Sequence, residues 1–382
     1  MKNILLIHTR YRNKGGEDIV VDQEAKILSK HFNVRTIFFS NRETKYLINP
    51  FFLFTSRSIE SENKLRELIQ EFNPDIAIVH NTWFNASLSI FDVLKEKKIK
   101  TFLKLHNFRY FCTNTIFHKK HLGINQVCPA CGQERKKFRI LNKYFLDSYI
   151  KSLVVLIYGK KYFSLLQSEK FKIIVLTNFH KKFLINLKIS NDRILVIPNA
   201  IEINKNIKPA LNSNYMIYGG RVSKEKGVEE LVKTFLSCNF SDIHLKIVGS
   251  GPYFHKLKKR YICDSIDFVD EVNNHRMLQY IANSKGVVTA TKLFEGQPTL
   301  LCEASLLGIP SVFPISGGIE EFFPNNYKLS FNQFDYLDLK EKLILLNKLG
   351  NDSQIGNENK RFLEKYLEEV NMIKLLSETT YE

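Results

Sequence analysis

Short apolar runs alternate regularly with helical patterns along this sequence. We predict strands at 3–8, 34–39, 75–80, 100–106, 172–177, 194–198, 215–218, 244–248, 266–269, 286–290 and 310–313. We predict helices at 17–31, 60–72, 86–97, within 139–167, and at 228–236, 253–261, 275–282 and 298–307. Strands that alternate with helices form βαβ units, so each set predicts a parallel α/β sheet.

The alternating elements fall into two sets, and 382 residues suffice for two domains of ordinary size. We therefore predict two Rossmann-like, doubly wound domains, at 1–198 and 199–359, with an interdomain cleft. A polar segment at 203–214 is the predicted linker, and a C-terminal helix at about 360–382 is predicted to pack back onto the first domain.

Basic charge is concentrated in one half of the chain. Residues 1–200 hold 34 Lys and Arg against 16 Asp and Glu, whereas residues 201–382 hold 22 against 23. A hydrophobic content of 44% with 25% charged residues excludes a disordered, collagen-like or coiled-coil chain. Nucleic acid, an anionic membrane and an acidic polymer all remain possible partners of the basic half.

Neither a leader nor a membrane span is predicted. The apolar run within residues 1–8 is too short for the core of a signal peptide. The longest aliphatic run, at 153–157, is far below the ~20 residues that cross a bilayer. We therefore expect a cytoplasmic protein.

Three loops of the second half have the composition of an anion site, at 219–227, 249–252 and 295–303. Ligands of parallel sheets bind beyond the carboxyl ends of the strands, where these loops are predicted to lie. Their glycines would let the backbone approach a ligand, and Arg221 and Lys226 would flank a diphosphate. Pro298 suits the first turn of a helix and leaves the amides of Thr299 and Leu300 free.

The two glutamates of the third loop are expected to face sugars, because carboxylates repel phosphate. Glu295 would reach a hydroxyl-rich group, and Glu303 would accept hydrogen bonds from a ribose diol. The alternative is that the glycines only turn the chain, while the glutamates are solvated or cap a helix.

Taken together, these residues resemble the retaining glycosyltransferases of the GT-B fold, family 4 (glycosyl transferases group 1), of the bacterial surface-polysaccharide type. The matching elements are 216–227, 245–252, Glu295-x(7)-Glu303, Gly308-Ile309-Pro310, Gly317-Gly318-x-x-Glu321, Pro198-Asn199-Ala200, Gly15-Gly16, 75–80 and 103–107. Ala200 replaces the family's usual Gly, and Gln297 stands where a Phe is common.

The resemblance implies transfer of a sugar from a nucleotide diphosphate sugar, with UDP preferred, to a hydroxyl of a glycan or lipid-linked oligosaccharide, with retention. It places His106 and Glu295 beside the transferred sugar and makes His80 an acceptor-side candidate. The implied donor-binding residues are Gly15, Gly16, Arg221, Lys226, Gly296, Gln297, Pro298, Thr299, Leu300 and Glu303. Because cations and helix amides would stabilise the leaving diphosphate, no cofactor is expected to be required. The alternative for His106 is a satisfied histidine at a strand end.

Cys112, Cys128 and Cys131 follow His106, with His118 and His121 between them. A Cys-x-x-Cys pair with a further Cys and a His has the spacing of a structural zinc site. Reduced thiols or a redox-active pair are the alternatives.

Residues 135–163 hold eight Lys and Arg against one acid, interleaved with aromatic and aliphatic residues. As a helix this stretch would lie on the anionic inner face of the cell membrane, where a lipid-linked acceptor is found. A solvated surface helix is the alternative.

Rival functions remain. A basic nucleic-acid-binding protein would leave Glu295-x(7)-Glu303 unexplained, and no nucleic-acid-binding module is visible, so we expect no nucleic-acid partner. A GT-B nucleotide-sugar epimerase would need no acceptor.

Overall fold

The computed structural model describes residues 1–10, 15–40, 55–108, 110–112, 127–132, 148–203, 207, 209, 213–349 and 354–379. The chain divides into two units. The first comprises Met1–Ala200 with Val370–Glu382, and the second comprises Ile201–Glu369. Among the described residues, no helix has both the length and the apolarity needed to cross a bilayer.

The first unit contains a six-stranded parallel sheet in the order β2-β1-β3-β4-β5-β6. Its strands are β1 (Asn3–Arg10), β2 (Asn33–Ser40), β3 (Ile76–Asn81), β4 (Lys100–Lys104), β5 (Lys172–Val175) and β6 (Ile194–Val196). The six predicted strands of the first half are therefore confirmed. β3 is buried along its whole length, as expected for a strand covered on both faces.

Helices cover this sheet. They are α1 (Gly16–Leu28), α2 (Ile59–Phe72), α3 (Ile90–Glu96), α4 (Tyr149–Ser168) and α5 (Asn178–Asn186). Local sequence explains α2, since the Ser58 hydroxyl caps it by accepting from the Ser61 amide, and Leu65, Ile69 and Phe72 recur on its buried face. α5 was not among the predicted helices, although Thr177 caps it in the same way.

α4 corrects our interpretation of residues 135–163. Residues 135–147 lie outside the described part of the chain. Within α4, Leu156, Tyr158, Tyr162 and Phe163 are buried, so these side chains pack in the unit and cannot insert into a membrane. Tyr158 also donates its hydroxyl hydrogen bond to the Thr82 carbonyl at 2.8 Å.

The second unit contains a six-stranded parallel sheet in the order β12-β11-β10-β7-β8-β9. Its strands are β7 (Tyr215–Gly219), β8 (His244–Val248), β9 (Ile266–Val269), β10 (Gly286–Val288), β11 (Ser311–Ile315) and β12 (Ser330–Asn332). Five of these strands were predicted, and the three-residue β12 was not. The strand order reverses between β7 and β10, which is where doubly wound sheets bind ligands.

The helices of the second unit are α6 (Val228–Ser237), α7 (Phe254–Arg260), α8 (Asn274–Ala282), α9 (Thr299–Leu306), α10 (Tyr336–Lys348) and α11 (Gln354–Glu369). A separate helix, α12 (Met372–Glu378), follows α11 and begins where the Asn371 side chain caps it. Met372 and Leu376 of α12 are buried in the first unit's core, with Ile4 and Leu6 of β1.

Candidate functional site

In the second unit, two glycines let neighbouring loops pack closely. Gly227 packs the loop after β7 against the loop after β10, and Gly317 packs the loop after β11 against the loop after β10. Gly227 has φ +66°, and a Cβ there would lie 1.9 Å from the Ala290 carbonyl oxygen. Gly317 has φ +64°, and its Cβ would lie 2.3 Å from the Glu295 carbonyl oxygen. A side chain fits at neither position. At Gly227 the close neighbour is therefore backbone rather than a ligand, which corrects that part of the glycine interpretation.

The packing of these loops brings Lys226 and Glu295 together. Lys226 Nζ lies 2.5 Å from Glu295 Oε1, and the Thr291 hydroxyl donates to the same oxygen at 3.0 Å. The two charged side chains retain 29% and 25% of their exposure. A partly solvated pair of this kind contributes only about 0–1 kcal/mol, so an incoming anion can take Lys226 from Glu295 at small cost.

Arg221 lies on the loop after β7, close in sequence to Lys226. It is exposed, and its backbone is held because Tyr218 donates a hydroxyl hydrogen bond to the Arg221 carbonyl at 2.8 Å. This places one cation of the site in solvent and the other in an ion pair. Both are chemically able to meet a diphosphate.

α9 begins at Thr299 with Pro298 at its N-cap, and the Cys302 amide makes the first helical bond, to the Pro298 carbonyl at 3.0 Å. The backbone amides of the first helical residues, including Thr299 and Leu300, therefore have no hydrogen-bond partner within the helix. Amides at the start of a helix bind anions for this reason. Gly296 and Gln297 complete this loop. Gln297 is buried and hydrogen-bonds the Cys302 thiol.

Glu303, one turn into α9, is 5% exposed and accepts a hydrogen bond from Asn274 Nδ2 at 2.9 Å. Burial raises the pKa of Glu303, and the bond from Asn274 partly opposes that rise. Such an oriented carboxyl group is suited to a neutral diol and not to a phosphate. Sequence reasoning missed Asn274, since an Asn at a helix start is ordinary there.

In the first unit, His106 lies two residues after the end of β4 and contacts His80, near the end of β3. His80 Nδ1 lies 2.9 Å from His106 Nε2, and the rings are nearly parallel. Burial is the largest cause lowering the pKa of both histidines well below the usual value. Two neutral rings share one N–H between them, so the remaining His106 nitrogen can bond a hydroxyl group.

A buried ion pair lies next to the histidine pair. Lys104 bonds Glu24 of α1, and the other oxygen of Glu24 lies 3.7 Å from His80 Nε2. Lys104 is fully buried and Glu24 is 5% exposed. Sequence reasoning did not assign either residue, although a lysine inside an apolar strand and a glutamate on the apolar stripe of α1 were available as signals.

The start of α1 is tied to the same sheet. The Gly15 amide donates to Asp18 Oδ2 at 2.8 Å, and Asp18 Oδ1 lies 2.8 Å from Nε2 of the buried His8. A Cβ placed on Gly16 would meet nothing within 4 Å, so the space above Gly16 is open to a ligand.

His106 is partly exposed in a small hollow of about 20 Å³. That volume suits about one water molecule and is far too small for a hexose. The hollow is lined by Glu17, His80, Asn81, Trp83, Leu105, His106, Asn107, Tyr110 and Tyr162. A sugar would therefore meet the rim of the hollow and not its interior.

The three predicted cysteine ligands also converge in the first unit. The sulfur atoms of Cys112, Cys128 and Cys131 all lie within 4.8 Å of one another. Hydrogen bonding with the other two thiols, and then burial, raises the pKa of Cys112. His118 and His121 lie outside the described residues.

Residues 199–362 match the model of the family Glycosyl transferases group 1. This segment is a glycosyl transferases group 1 domain. It contains every site residue described above for the second unit.

One curated relative is TuaC of Bacillus subtilis (strain 168), whose name assigns it to teichuronic acid biosynthesis as a glycosyltransferase. The two chains are 29% identical over 129 residues. The match covers 34% of this chain and 31% of TuaC, so the chain aligns with about a third of that relative's length.

Solved structures share the fold over nearly the whole chain. Sucrose-phosphate synthase of Thermosynechococcus elongatus has a TM-score of 0.69 at 15% identity, covering 99% of this chain and 97% of its own. Anabaena Alr3699/HepE, solved with UDP and glucose, has a TM-score of 0.67 at 13% identity, covering 99% and 100%. These likenesses show the predicted fold, GT-B, with two Rossmann-like units.

Proposed function

We propose that this protein is a retaining glycosyltransferase. It moves a sugar from a nucleotide diphosphate sugar to a hydroxyl of a glycan or lipid-linked oligosaccharide during surface polysaccharide synthesis. The observation that carries the proposal is the group 1 domain, in which Arg221, Lys226 and the start of α9 follow the two strands at which the sheet order reverses.

The charge of the site suits the leaving group. As the bond between the anomeric carbon and the diphosphate oxygen breaks, negative charge grows on the diphosphate. Arg221, Lys226 and the amides of Thr299 and Leu300 stabilise that charge. The acceptor oxygen bonds to the anomeric carbon, and its proton passes to the departing phosphate oxygen. With these groups in place, the reaction needs no added divalent cation.

The nucleotide is proposed to be UDP. In support, Alr3699/HepE was solved with UDP and with UDP-glucose. Glu303, held by Asn274, would accept from the ribose diol. Glu295 would bond hydroxyls of the transferred sugar once an anion occupies Lys226. Surface polysaccharide synthesis is supported by the name of TuaC.

His106 is proposed to bond the transferred sugar as a neutral ring, with His80 holding it in place. The short contact between the two rings and the lowered pKa of each favour this role over proton abstraction at neutral pH. Gly15 and Gly16, at the start of α1, are proposed to approach the donor phosphate, since the space above Gly16 is open.

Transfer is tested with the full chain, a panel of UDP- and GDP-sugars, and a lipid-linked oligosaccharide, following release of the nucleoside diphosphate. We expect turnover with a UDP-sugar in buffer without added metal ions. NMR should show that the transferred sugar has the same anomeric configuration in the product as in the donor. Arg221→Ala should lower kcat/KM by about 10²–10³. Arg260→Ala, on an exposed arginine of the same unit that pairs with Glu229, is the matched control.

No turnover and no binding with any nucleotide sugar would contradict the proposal. An inverted product would contradict retention alone. Conversion of a UDP-sugar into its epimer without an acceptor would favour the epimerase alternative, and filter binding of RNA at moderate salt would favour the nucleic-acid alternative.

We propose a peripheral position on the inner membrane from the start of α4 alone and no longer from the whole stretch 135–163. At the start of α4, Tyr149, Ile150 and Leu153 are 47%, 73% and 48% exposed beside Lys151. Apolar side chains with a neighbouring lysine suit an anionic interface. Flotation with anionic vesicles should be weakened by Ile150→Ser with Leu153→Ser, and equal flotation of the wild type with neutral vesicles would contradict it.

A further inference from the structure

Three cysteine sulfurs meet at one point of the first unit. Cys112 and Cys128 are buried, Cys131 is partly exposed, and all three sulfurs lie within 4.8 Å of one another. Cys112 comes from the helical residues 110–112, whereas the other two come from residues 127–132. The cluster therefore joins two segments that are separated along the chain, and no one segment's local structure requires it.

The three sulfurs lie close enough together to bind one metal ion. Four sulfurs held tetrahedrally around zinc at about 2.3 Å are separated from one another by about 3.8 Å. Cys112 Sγ and Cys128 Sγ are 3.4 Å apart, and the third sulfur is within 4.8 Å of both. A disulfide bond would need about 2.05 Å and would leave the third cysteine without a role.

The turn that carries two of the cysteines is shaped to present both. Cys128 and Cys131 are separated by two residues, and the Gly132 amide donates to the Cys128 carbonyl at 2.8 Å. Gly132 has φ +74°, which glycine adopts without strain. The chain thus closes around Cys128–Cys131, so that both sulfurs lie near that of Cys112.

We propose that Cys112, Cys128 and Cys131 bind a single zinc ion through their thiolates. Thiolate ligands favour zinc over magnesium or calcium, and the cation offsets charge that burial would otherwise disfavour. This site is independent of the proposed glycosyl transfer, and its role is structural. The remaining coordination position is not assigned to a residue.

The zinc site would stabilise one wall of the hollow beside His106. Tyr110, which lines that hollow, precedes Cys112 by two residues. Its hydroxyl lies 2.7 Å from Nε2 of the buried His180, and the two rings are nearly parallel. Fixing Cys112 to the 127–132 segment therefore limits the movement of Tyr110.

The proposal is tested by metal analysis of the full chain purified under reducing conditions from zinc-supplemented cells. We expect about one zinc ion per chain, falling to near zero in Cys128→Ser. Cys263→Ser, on an exposed cysteine of the second unit, should keep the wild-type content. Near-zero zinc in the wild type would overturn the proposal, as would unchanged zinc in Cys128→Ser.

Cobalt replacement of the wild-type ion keeps the test valid if the serine variant fails to fold. After chelation and addition of Co²⁺, we expect intense visible bands and sulfur-to-cobalt charge-transfer bands in the near ultraviolet, which mark tetrahedral thiolate ligation. Zinc should displace them. Weak bands typical of octahedral oxygen ligation would overturn the proposal. A Cys112–Cys128 disulfide found by mass spectrometry in the protein as purified under reducing conditions would also overturn it.

Discussion

Each unit has a lysine–glutamate pair in or beside its candidate site, and these two pairs differ in their solvent exposure. Lys104 and Glu24 in the first unit are 0% and 5% exposed, whereas Lys226 and Glu295 in the second are 29% and 25% exposed. The first pair lies behind the His80–His106 contact. The second lies at the strand ends where the sheet order reverses.

The difference in burial gives the two pairs different physical properties. A buried pair is costly to form and far costlier to break, so it fixes neighbouring groups in place. A partly solvated pair is easily exchanged, so its lysine is available to an anionic ligand. We therefore propose that the pair in the first unit positions its neighbours and that the pair in the second unit binds a ligand.

The largest expected effect comes from breaking the buried pair. Lys104→Met leaves Glu24 buried without its cation and should lower the free energy of unfolding of the first unit by about 3–5 kcal/mol. The chain's one tryptophan, Trp83, packs against Tyr158 in this unit, so its fluorescence during urea denaturation reports the loss.

Lys95→Met is the matched control, because Lys95 pairs with Glu169 at the surface with 72% of its side chain exposed. It should change the free energy of unfolding by less than about 1 kcal/mol. Equal losses in the two variants would remove the distinction between buried and exposed pairs.

Acid should destabilise the first unit through its buried histidines. Burial lowers the pKa of His80, and it lowers the pKa of His180 to about 3. Below a pH of about 6.5 the unfolded chain binds protons that the folded chain does not, so stability is full above that pH and falls below it. For His180 this should cost about 2 kcal/mol between pH 7 and pH 5, and His80 should add a loss of the same sign.

Urea denaturation followed by Trp83 fluorescence at several pH values checks this expectation. In His180→Gln, the free energy of unfolding should fall less between pH 7 and pH 5, because the contribution of His180 is removed. His31→Gln, on an exposed histidine of the same unit, should keep the wild-type dependence. A free energy of unfolding that is constant from pH 7 to pH 5 would contradict the account.

In the second unit, Lys226→Met should weaken UDP binding by at least about tenfold, because a charge-assisted hydrogen bond to the diphosphate is lost. The thermal shift produced by UDP measures this. Lys233→Met, on an exposed lysine that pairs with Glu229, is the control and should retain the wild-type shift. Equal shifts in both variants would place the diphosphate elsewhere.

The smallest expected effect on stability is that of Glu295→Gln. Since the pair is partly solvated, the free energy of unfolding should change by less than about 1 kcal/mol. Sugar transfer should nevertheless fall, since Glu295 is proposed to bond the sugar hydroxyls. A loss of stability as large as that of Lys104→Met would show that the two pairs are alike.

The second unit's site was largely predictable because its residues are local in sequence. Arg221 and Lys226 share one loop, and Glu295 through Glu303 share another. What could not be predicted is the link between them, the Lys226–Glu295 ion pair, since it depends on Gly227 and Gly317 packing against a neighbouring loop.

The first unit's site was less predictable because its network joins separate elements. His106 and His80 could be proposed as strand-end residues, but their contact requires that β3 and β4 be neighbours. The Lys104–Glu24 pair additionally requires the apolar stripe of α1 to lie on that part of the sheet. Periodicity indicates that the stripe is buried without indicating which strand it meets.

Binding of the UDP diphosphate by Arg221 is tested by calorimetric titration of UDP into the wild type and into Arg221→Ala. We expect the wild type to bind UDP and the variant to bind at least about tenfold more weakly, since a charged contact to the diphosphate is lost. The two proteins should differ much less in their affinity for UMP, which lacks the second phosphate. Equal UDP affinity in both, or no binding by the wild type, would contradict the account.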